Sequence, residues 1–172
     1  MKNRVALIGL GNILLKDDGV GVRIAMAIRE RFVFFPSVDF IDGGNLGLDL
    51  LPFWEDYGKI LILDAVDFGR EPGYIEEIEN DAIPAVLHPK LSAHHVGLSD
   101  VMFAAKFLVI GPEEVFLIGI QPESVEVGLE MTERIQSKAS ELTDRVIRKL
   151  ETWGINCALR HTRPLHRGRM VS

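Results

Sequence analysis

Cysteine is almost absent from this chain of 172 residues, which contains only Cys157. A single cysteine excludes an internal disulfide and a metal site built from several cysteines. Long hydrophobic runs are missing as well. The first one, "VALIGL" at residues 5–10, is too short for a secretory signal, and no stretch reaches the roughly 20 apolar residues of a membrane helix. We therefore expect a cytoplasmic protein that does not enter a membrane.

An excess of positive charge is also lacking, since 25 acidic residues outnumber 19 basic ones and give a net charge of -6. This balance excludes a general nucleic-acid-binding surface. The length suits one domain with a sizeable core. Basic residues concentrate at the end, "RHTRPLHRGRMVS", which has four arginines and no acid. We predict one domain over residues 1–155 and a basic, flexible C-terminal tail over residues 156–172.

Apolar patterns typical of strands and helices alternate along the chain. The run "KILILDAV" is apolar throughout, which is typical of a strand buried on both faces, whereas "GYIEEIE" alternates and indicates an edge strand. The predicted strands cover residues 4–10, 38–42, 59–66, 73–79 and 114–122. The predicted helices cover residues 18–31, 47–54, 97–108 and 132–153. This alternation predicts an α/β sandwich of three layers.

Several acids follow strands of the predicted sheet, where open α/β sheets bind their ligands. Asp17 and Asp18 follow the first strand in "GNILLKDDG", Asp42 follows the second, and Asp64 ends the third. The structural alternative for Asp64 is a turn cap. For the pair it is a helix N-cap plus a first-turn acid, which the helix dipole favours. Two acids beside a glycine turn exceed what one cap needs, so we predict that one of them is functional.

Two adjacent histidines, His94 and His95, lie in "SAHH", in a predicted loop before a helix. Two carboxylates and one imidazole suit a divalent cation and leave positions open for water or a substrate group. The spacing by itself selects neither the metal nor the histidine.

Dinucleotide binding is the competing interpretation of the glycine turn. "GLGNIL" supplies Gly9 and Gly11, the first two glycines of G-x-G-x-x-G, but Leu14 occupies the third position. Asp42 stands 31 residues after Gly11, further than the usual ~20 for a ribose-binding acid. Two carboxylates would also repel a pyrophosphate, so the residues favour a cation.

Five segments in order carry a specific resemblance: "GLGNILLKDDGVGVR", "IDGGNLGLDLL", "LILDAVDFGREPG", "KLSAHHVGLSDV" and "IGIQPESVEVGLEMT". Together they resemble the hydrogenase maturation endopeptidase family, whose members remove a C-terminal extension from the large-subunit precursor of nickel–iron hydrogenases. The resemblance covers residues 4–150. It implies a three-layer α/β/α sandwich around a five-stranded mixed sheet with one antiparallel strand, which we assign to residues 73–79.

The resemblance also implies the site. The family's metal-contacting acid in the first loop corresponds to Asp18, its later aspartate to Asp64, and its histidine to His94, so these three residues are the expected catalytic and metal-contacting set. Asp42 is a secondary catalytic candidate, and the role of His95 is left open.

The family pattern further implies a hydrolase of the aspartyl protease class that binds metal. The nickel is expected to come with the substrate, a hydrogenase large-subunit precursor, and no tightly bound cofactor is expected. Three alternatives remain open at this point: an amidase or peptidase with its own zinc, a non-enzymatic nickel chaperone, and a nucleotide-binding module.

Overall fold

A computed structural model describes residues 3–44, 47–86, 93–108 and 110–160 of the chain. Within them, strands and helices alternate over most of the length. The strands are β1 (Val5–Leu10), β2 (Phe32–Phe35), β3 (Val38–Gly44), β4 (Lys59–Ala65), β5 (Ile75–Glu79), β6 (Glu114–Ile120) and β7 (Asn156–Leu159). The α-helices are α1 (Val20–Arg31), α2 (Leu51–Asp56), α3 (Ile83–Val86), α4 (Ala93–Leu108), α5 (Glu133–Gln136) and α6 (Ala139–Thr152).

Five of the strands form the central sheet in the order β3-β1-β4-β6-β5. The first four run parallel, and β5 pairs antiparallel with β6 at one edge. This arrangement confirms the mixed five-stranded sheet and the assignment of the antiparallel strand. The carboxyl ends of β1, β3, β4 and β6 therefore meet at one edge, which we call the carboxyl edge.

Both faces of this sheet are covered. All six residues of β1 are buried, with Val5 and Leu7 in one core cluster and Ala6 and Ile8 in the other. Residues of α1 and α6 complete the first cluster, and residues of α2 and α4 complete the second. Burial on both faces explains why the central strands are continuous apolar runs in the sequence. The three-layer α/β/α sandwich is confirmed.

A second, two-stranded sheet was not predicted from the sequence. The strand β2 pairs antiparallel with β7, with Phe32 opposite Leu159 and Phe35 opposite Asn156. The predicted boundary between domain and tail, at residues 155 and 156, therefore falls immediately before β7. Residues 161–172 lie outside the described part of the chain, and a flexible tail there stays a prediction.

Helix boundaries differ from the predicted ones at four places. The helix expected over residues 47–54 is a 3-10 turn, Gly47–Leu50, followed by α2. The helix expected from residue 18 begins with a separate 3-10 turn, Lys16–Gly19. The last predicted helix is interrupted at Ser137 and Lys138, between α5 and α6. Helix α4 begins at Ala93, four residues earlier than predicted. In the described ranges, no helix is both long and apolar enough to cross a membrane.

Candidate active site

Glycines in the first loop bring the start of α1 against the carboxyl edge. A Cβ atom on Gly21 would lie 2.2 Å from the carbonyl oxygen of Leu63 in β4, so only glycine permits this approach. At Gly11, where φ is +111°, a Cβ atom would lie 1.7 Å from the carbonyl oxygen of Asp18. The first loop and the start of α1 are thus packed tightly against neighbouring backbone.

Asp17 and Asp18 lie next to each other in the 3-10 turn but bind different groups. Asp17 is fully buried. Its Oδ2 accepts hydrogen bonds from the backbone N–H groups of Glu123 and Ser124 and from the Thr132 hydroxyl, all at 3.0 Å. Its Oδ1 accepts the backbone N–H of Thr132 at 2.7 Å. Asp17 therefore holds the segment after β6 against the first loop, which is a structural role.

Neither aspartate is the helix cap that the structural alternative required. The residue that precedes α1 is Gly19, and no side chain caps that helix end. Asp18 is 1% exposed, and its Oδ2 accepts the backbone N–H of Asn12 at 2.8 Å. Its carboxylate is thus held within the first loop at the edge of the sheet.

Asp64 lies inside β4, one residue before the end of the strand, and is 1% exposed. The 3-10 turn that carries Asp18 packs against β4. The structure therefore places these two buried carboxylates on elements in direct contact at the carboxyl edge. Burying a carboxylate is costly unless hydrogen bonds, opposite charge or a metal stabilise it, so two in one place are characteristic of a functional site.

Asp42 does not join this pair. It is exposed, and its Oδ1 accepts the backbone N–H of Gly44 at 3.0 Å within its own turn. Asp42 pairs with Gly9, and Gly9 pairs with Leu63, the residue before Asp64. Successive residues of a strand alternate between faces, so Asp42 belongs to the face opposite Asp64 and lies two strands away, roughly 10 Å.

His94 lies in the first turn of α4, not in a loop as predicted. Its side chain, like that of His95, lies outside the described atoms. The backbone position of His94 still follows from the fold, because β6 runs parallel to β4 and starts shortly after α4 ends. Helix α4 consequently starts at the carboxyl edge. It packs on the face of Ile60 and Ile62, and alternation assigns Asp64 to that same face.

One polar residue of the carboxyl edge was missed by the sequence analysis. Gln121 follows β6 and is 8% exposed. Its Oε1 accepts the backbone N–H of Phe68 at 2.7 Å, and its Nε2 donates to Asp67 Oδ1 at 3.1 Å. Gln121 therefore holds the loop that follows Asp64. In the sequence, the position of Gln121 at the start of "QPES" was the only indication of a role, and this position does not show that Gln121 binds the loop after Asp64.

Fold and site together define a class: an α/β protein with two buried carboxylates at the carboxyl edge of a mixed sheet. A family model described as "HycI: Hydrogenase maturation protease" matches residues 22–149. The "Hydrogenase 2 maturation protease" of Escherichia coli is 31% identical over 153 residues, which cover 88% of this chain and 93% of that protein. The chain belongs to the hydrogenase maturation protease family, and it is a peptidase that acts in hydrogenase maturation.

Other relatives agree with this assignment. The hydrogenase expression/formation protein HupD of Rhizobium leguminosarum is 34% identical over 154 residues, covering 88% of this chain and 76% of that protein. The solved structure of the hydrogenase maturating endopeptidase HybD from Escherichia coli is similar with a TM-score of 0.87 and 32% identity. The match covers 91% of this chain and 98% of that one.

Two expectations about the chemical class are wrong. Members of this family are hydrogenase maturation proteases and not aspartyl proteases, so the paired carboxylates do not make the chain one. The expectation of a metal-binding group of the protein's own is not supported either. In the part of the chain that the structure describes, no group of three or more His, Cys, Asp or Glu side chains is arranged to hold a metal ion.

The three alternatives named from the sequence have different outcomes. The nickel chaperone and the nucleotide-binding module are not enzymes of this kind, and the family assignment removes them. The amidase with its own zinc requires a resident ligand set, and the described residues do not contain one. Asp18, Asp64 and His94 stay predictions as catalytic residues.

Proposed function

We propose that this protein removes a C-terminal extension from the large-subunit precursor of a nickel–iron hydrogenase, and that it recognises nickel already installed in that precursor. Asp18, Asp64 and His94 would contact the metal, which belongs to the substrate. Hydrolysis adds one water across the scissile amide and leaves a carboxylate on the mature subunit and an amine on the released peptide.

The observation that supports this proposal is the different environment of the two neighbouring aspartates. All four hydrogen bonds of Asp17 go to the segment 123–132, so its carboxylate is committed to the fold. Asp18 is also buried, and the 3-10 turn that carries it packs on β4, where Asp64 is buried. Two carboxylates at one edge favour a cation, and we propose that His94, in the first turn of α4, contacts the same cation.

Contact with substrate-borne nickel would couple recognition to cleavage. Bridging the metal fixes the precursor across the carboxyl edge, and a well-oriented scissile bond is worth ~7–11 kcal/mol of the barrier. A precursor without nickel lacks the bridge and is left uncut. We further propose that the protein needs no tightly bound cofactor of its own.

A cysteine nucleophile is not part of this scheme. Cys157 lies in β7, paired with Phe34 of β2, and burial raises the pKa of its thiol above the ordinary value. A raised pKa reduces the thiolate fraction at neutral pH, and the thiolate is the reactive form. Cys157→Ser is therefore a suitable control variant with full cleavage expected.

The test is incubation with nickel-loaded and nickel-free precursor, followed by mass spectrometry of the large subunit. We expect loss of a C-terminal peptide only from the nickel-loaded precursor. Asp18→Asn, Asp64→Asn and His94→Ala should each reduce the rate by about 100-fold or more, the scale of losing a catalytic group, while retaining the circular dichroism of the wild type. Equal cleavage of nickel-free precursor contradicts nickel recognition. Wild-type rates in His94→Ala remove that residue from the site.

Metal analysis of the purified protein provides an independent readout. The proposal expects no stoichiometric metal after gel filtration in metal-free buffer. One tightly held zinc per chain, lost together with activity in Asp64→Asn, supports the amidase alternative instead.

A further inference from the structure

Four apolar side chains beside the candidate site are exposed to solvent. The exposed fractions are 45% for Ile13, 54% for Leu14, 85% for Val127 and 65% for Leu129. We call these four residues the apolar loop surface. They lie on two segments far apart in sequence, residues 12–15 and 124–130. Exposed apolar groups gathered in one place often mark an interaction site.

Backbone hydrogen bonds join the two segments. Leu15 and Gly128 form a parallel bridge. The N–H of Gly128 donates to the carbonyl of Leu14 at 2.9 Å, and the N–H of Lys16 donates to the carbonyl of Gly128 at 2.8 Å. The exposed side chains of the apolar loop surface are therefore carried on a paired backbone rather than on two independent loops.

Side chains from the body of the protein fasten the same two segments. The guanidinium of Arg23, on α1, donates to the carbonyl of Ile13 at 3.0 Å and also to the carbonyl of Leu129. Asp17 holds the second segment at both ends, through the N–H groups of Ser124 and Thr132. A surface that is ordered before binding loses less conformational entropy when a ligand binds. Its rigidity is a feature of a preformed docking site.

The apolar loop surface is continuous with the candidate active site. The N–H of Asn12, the residue before Ile13, donates to Asp18 Oδ2 at 2.8 Å. A Cβ atom on Gly19 would lie 2.7 Å from the Cα of Ile13, so the first segment packs directly on the turn that carries Asp18. A polypeptide placed at Asp18 would extend over these apolar side chains.

The charges beside the surface indicate an apolar ligand. Lys16 and Glu126 flank it and pair with each other, with 2.7 Å between Nζ and Oε2. The hydrogen bond from Lys16 lowers the pKa of the Glu126 carboxyl, which favours the carboxylate form that accepts this bond. These two opposite charges offset each other, so neither of them selects a charged partner.

We propose that the apolar loop surface docks an apolar segment of the precursor polypeptide next to the scissile bond. This inference rests on the proposed function, because it takes the precursor as the partner. It assigns substrate affinity to residues that contact neither the metal nor the reacting bond. A second copy of this chain is the competing occupant, and the experiment below distinguishes it.

The test combines Leu14→Ser with Val127→Ser, since both side chains are exposed. Phe107→Ser on α4 is the matched control, because Phe107 is 79% exposed and lies at the opposite end of that helix from His94. Precursor binding is measured by fluorescence anisotropy in an Asp64→Asn background, in which the proposed function expects no cleavage and the hydrogen bond between Asn12 and Asp18 is kept. We expect the double variant to raise Kd by about tenfold or more, from two partly buried side chains lost at the contact. The Kd of the Phe107→Ser control should stay within about twofold of the value without that substitution.

Cleavage kinetics supply the second readout. With Asp64 unchanged, the double variant should raise KM and leave kcat unchanged, because the surface acts in binding and not on the reacting bond. Should the double variant alter the circular dichroism, Val127→Ser alone is used, since its side chain is 85% exposed.

Each outcome decides between the proposals. A wild-type Kd and KM in the double variant overturns the docking proposal while leaving the proposed function intact. Binding that depends on the surface, without any cleavage by the wild type, keeps the docking proposal and refutes the proposed function. If the wild type neither binds nor cleaves the precursor, both the docking proposal and the proposed function are wrong. A wild-type dimer in sedimentation analysis that the double variant dissociates assigns the surface to self-association and also overturns the docking proposal.

Discussion

Replacing Asp17 by asparagine tests whether this buried carboxylate is structural. The carboxylate accepts three hydrogen bonds at Oδ2 and one at Oδ1. Asparagine offers only one carbonyl oxygen. With that oxygen in the Oδ2 position, its amide group faces the N–H of Thr132, which lies 2.7 Å from Oδ1 in the wild type. Two donors then oppose each other in a fully buried place.

The expected loss in the free energy of unfolding follows from these bonds. A buried donor left without an acceptor costs about 1–3 kcal/mol, and hydrogen bonds to a charged group are worth about 1.5–3 kcal/mol against about 1 kcal/mol for neutral ones. Removing a buried charge offsets part of the loss, because its desolvation is no longer required. We expect Asp17→Asn to destabilise the protein by about 3 kcal/mol, which is roughly 6–12 °C in Tm for a chain of this size.

Urea unfolding followed by circular dichroism measures this change, with the slope m constant between variants. The matched control is Asp42→Asn, since Asp42 is exposed and its one described hydrogen bond, to the N–H of Gly44, is kept by an amide oxygen. The control should change stability by less than about 0.5 kcal/mol. A loss for Asp17→Asn no larger than that of the control refutes the structural role.

Two further predictions concern the core and the surface. Gly21→Ala should destabilise the protein by about 2–3 kcal/mol in the same assay, because its Cβ atom would overlap the carbonyl of Leu63 at 2.2 Å; a wild-type stability contradicts the close approach of α1 and β4. Burial acts to raise the pKa of Glu114, but the hydrogen bonds from Lys149 and Trp153 and the positive charges of Lys149 and Lys59 together outweigh it, so that pKa lies below its ordinary value. A lowered pKa stabilises the fold fully above the unfolded pKa, and this contribution is lost as the pH falls through the folded pKa. Glu114→Gln should therefore cost about 1 kcal/mol at pH 7, and this cost should decline as the solution is acidified through the folded pKa of Glu114. A difference between Glu114→Gln and wild type that is constant across this pH range contradicts the ion pair.

Most of the central sheet was predictable from local patterns. The strands β1, β4 and β6 are buried on both faces, and continuous apolar runs are the direct consequence. The ribbon of β2 and β7 was not predictable, because "FVFF" and "NCAL" are four residues each and pair across more than a hundred residues of sequence. Nothing in either segment alone specifies that pairing.

For the candidate site, the kind of residue involved was easier to predict than the role of each individual residue. A carboxylate pair after a glycine turn indicated a functional loop, but only the tertiary structure separates Asp17 from Asp18. Their local sequence is the same, and the difference arises from the segment 123–132, which reaches Asp17 from more than a hundred residues away. Asp42 was expected after a strand but lies inside β3, and strand alternation and register place it on the face opposite Asp64.

The amino-acid sequence by itself determined the layered α/β class, the edge of the sheet at which polar groups gather, and the family that the five segments resemble. These depend on periodicity and residue type, which act over a few neighbouring positions. The tertiary structure decided which aspartate holds the segment after β6, on which face of the sheet Asp42 lies, and how two distant loops form one apolar surface. Those outcomes depend on hydrogen bonds and close contacts between segments that meet only after the chain has folded.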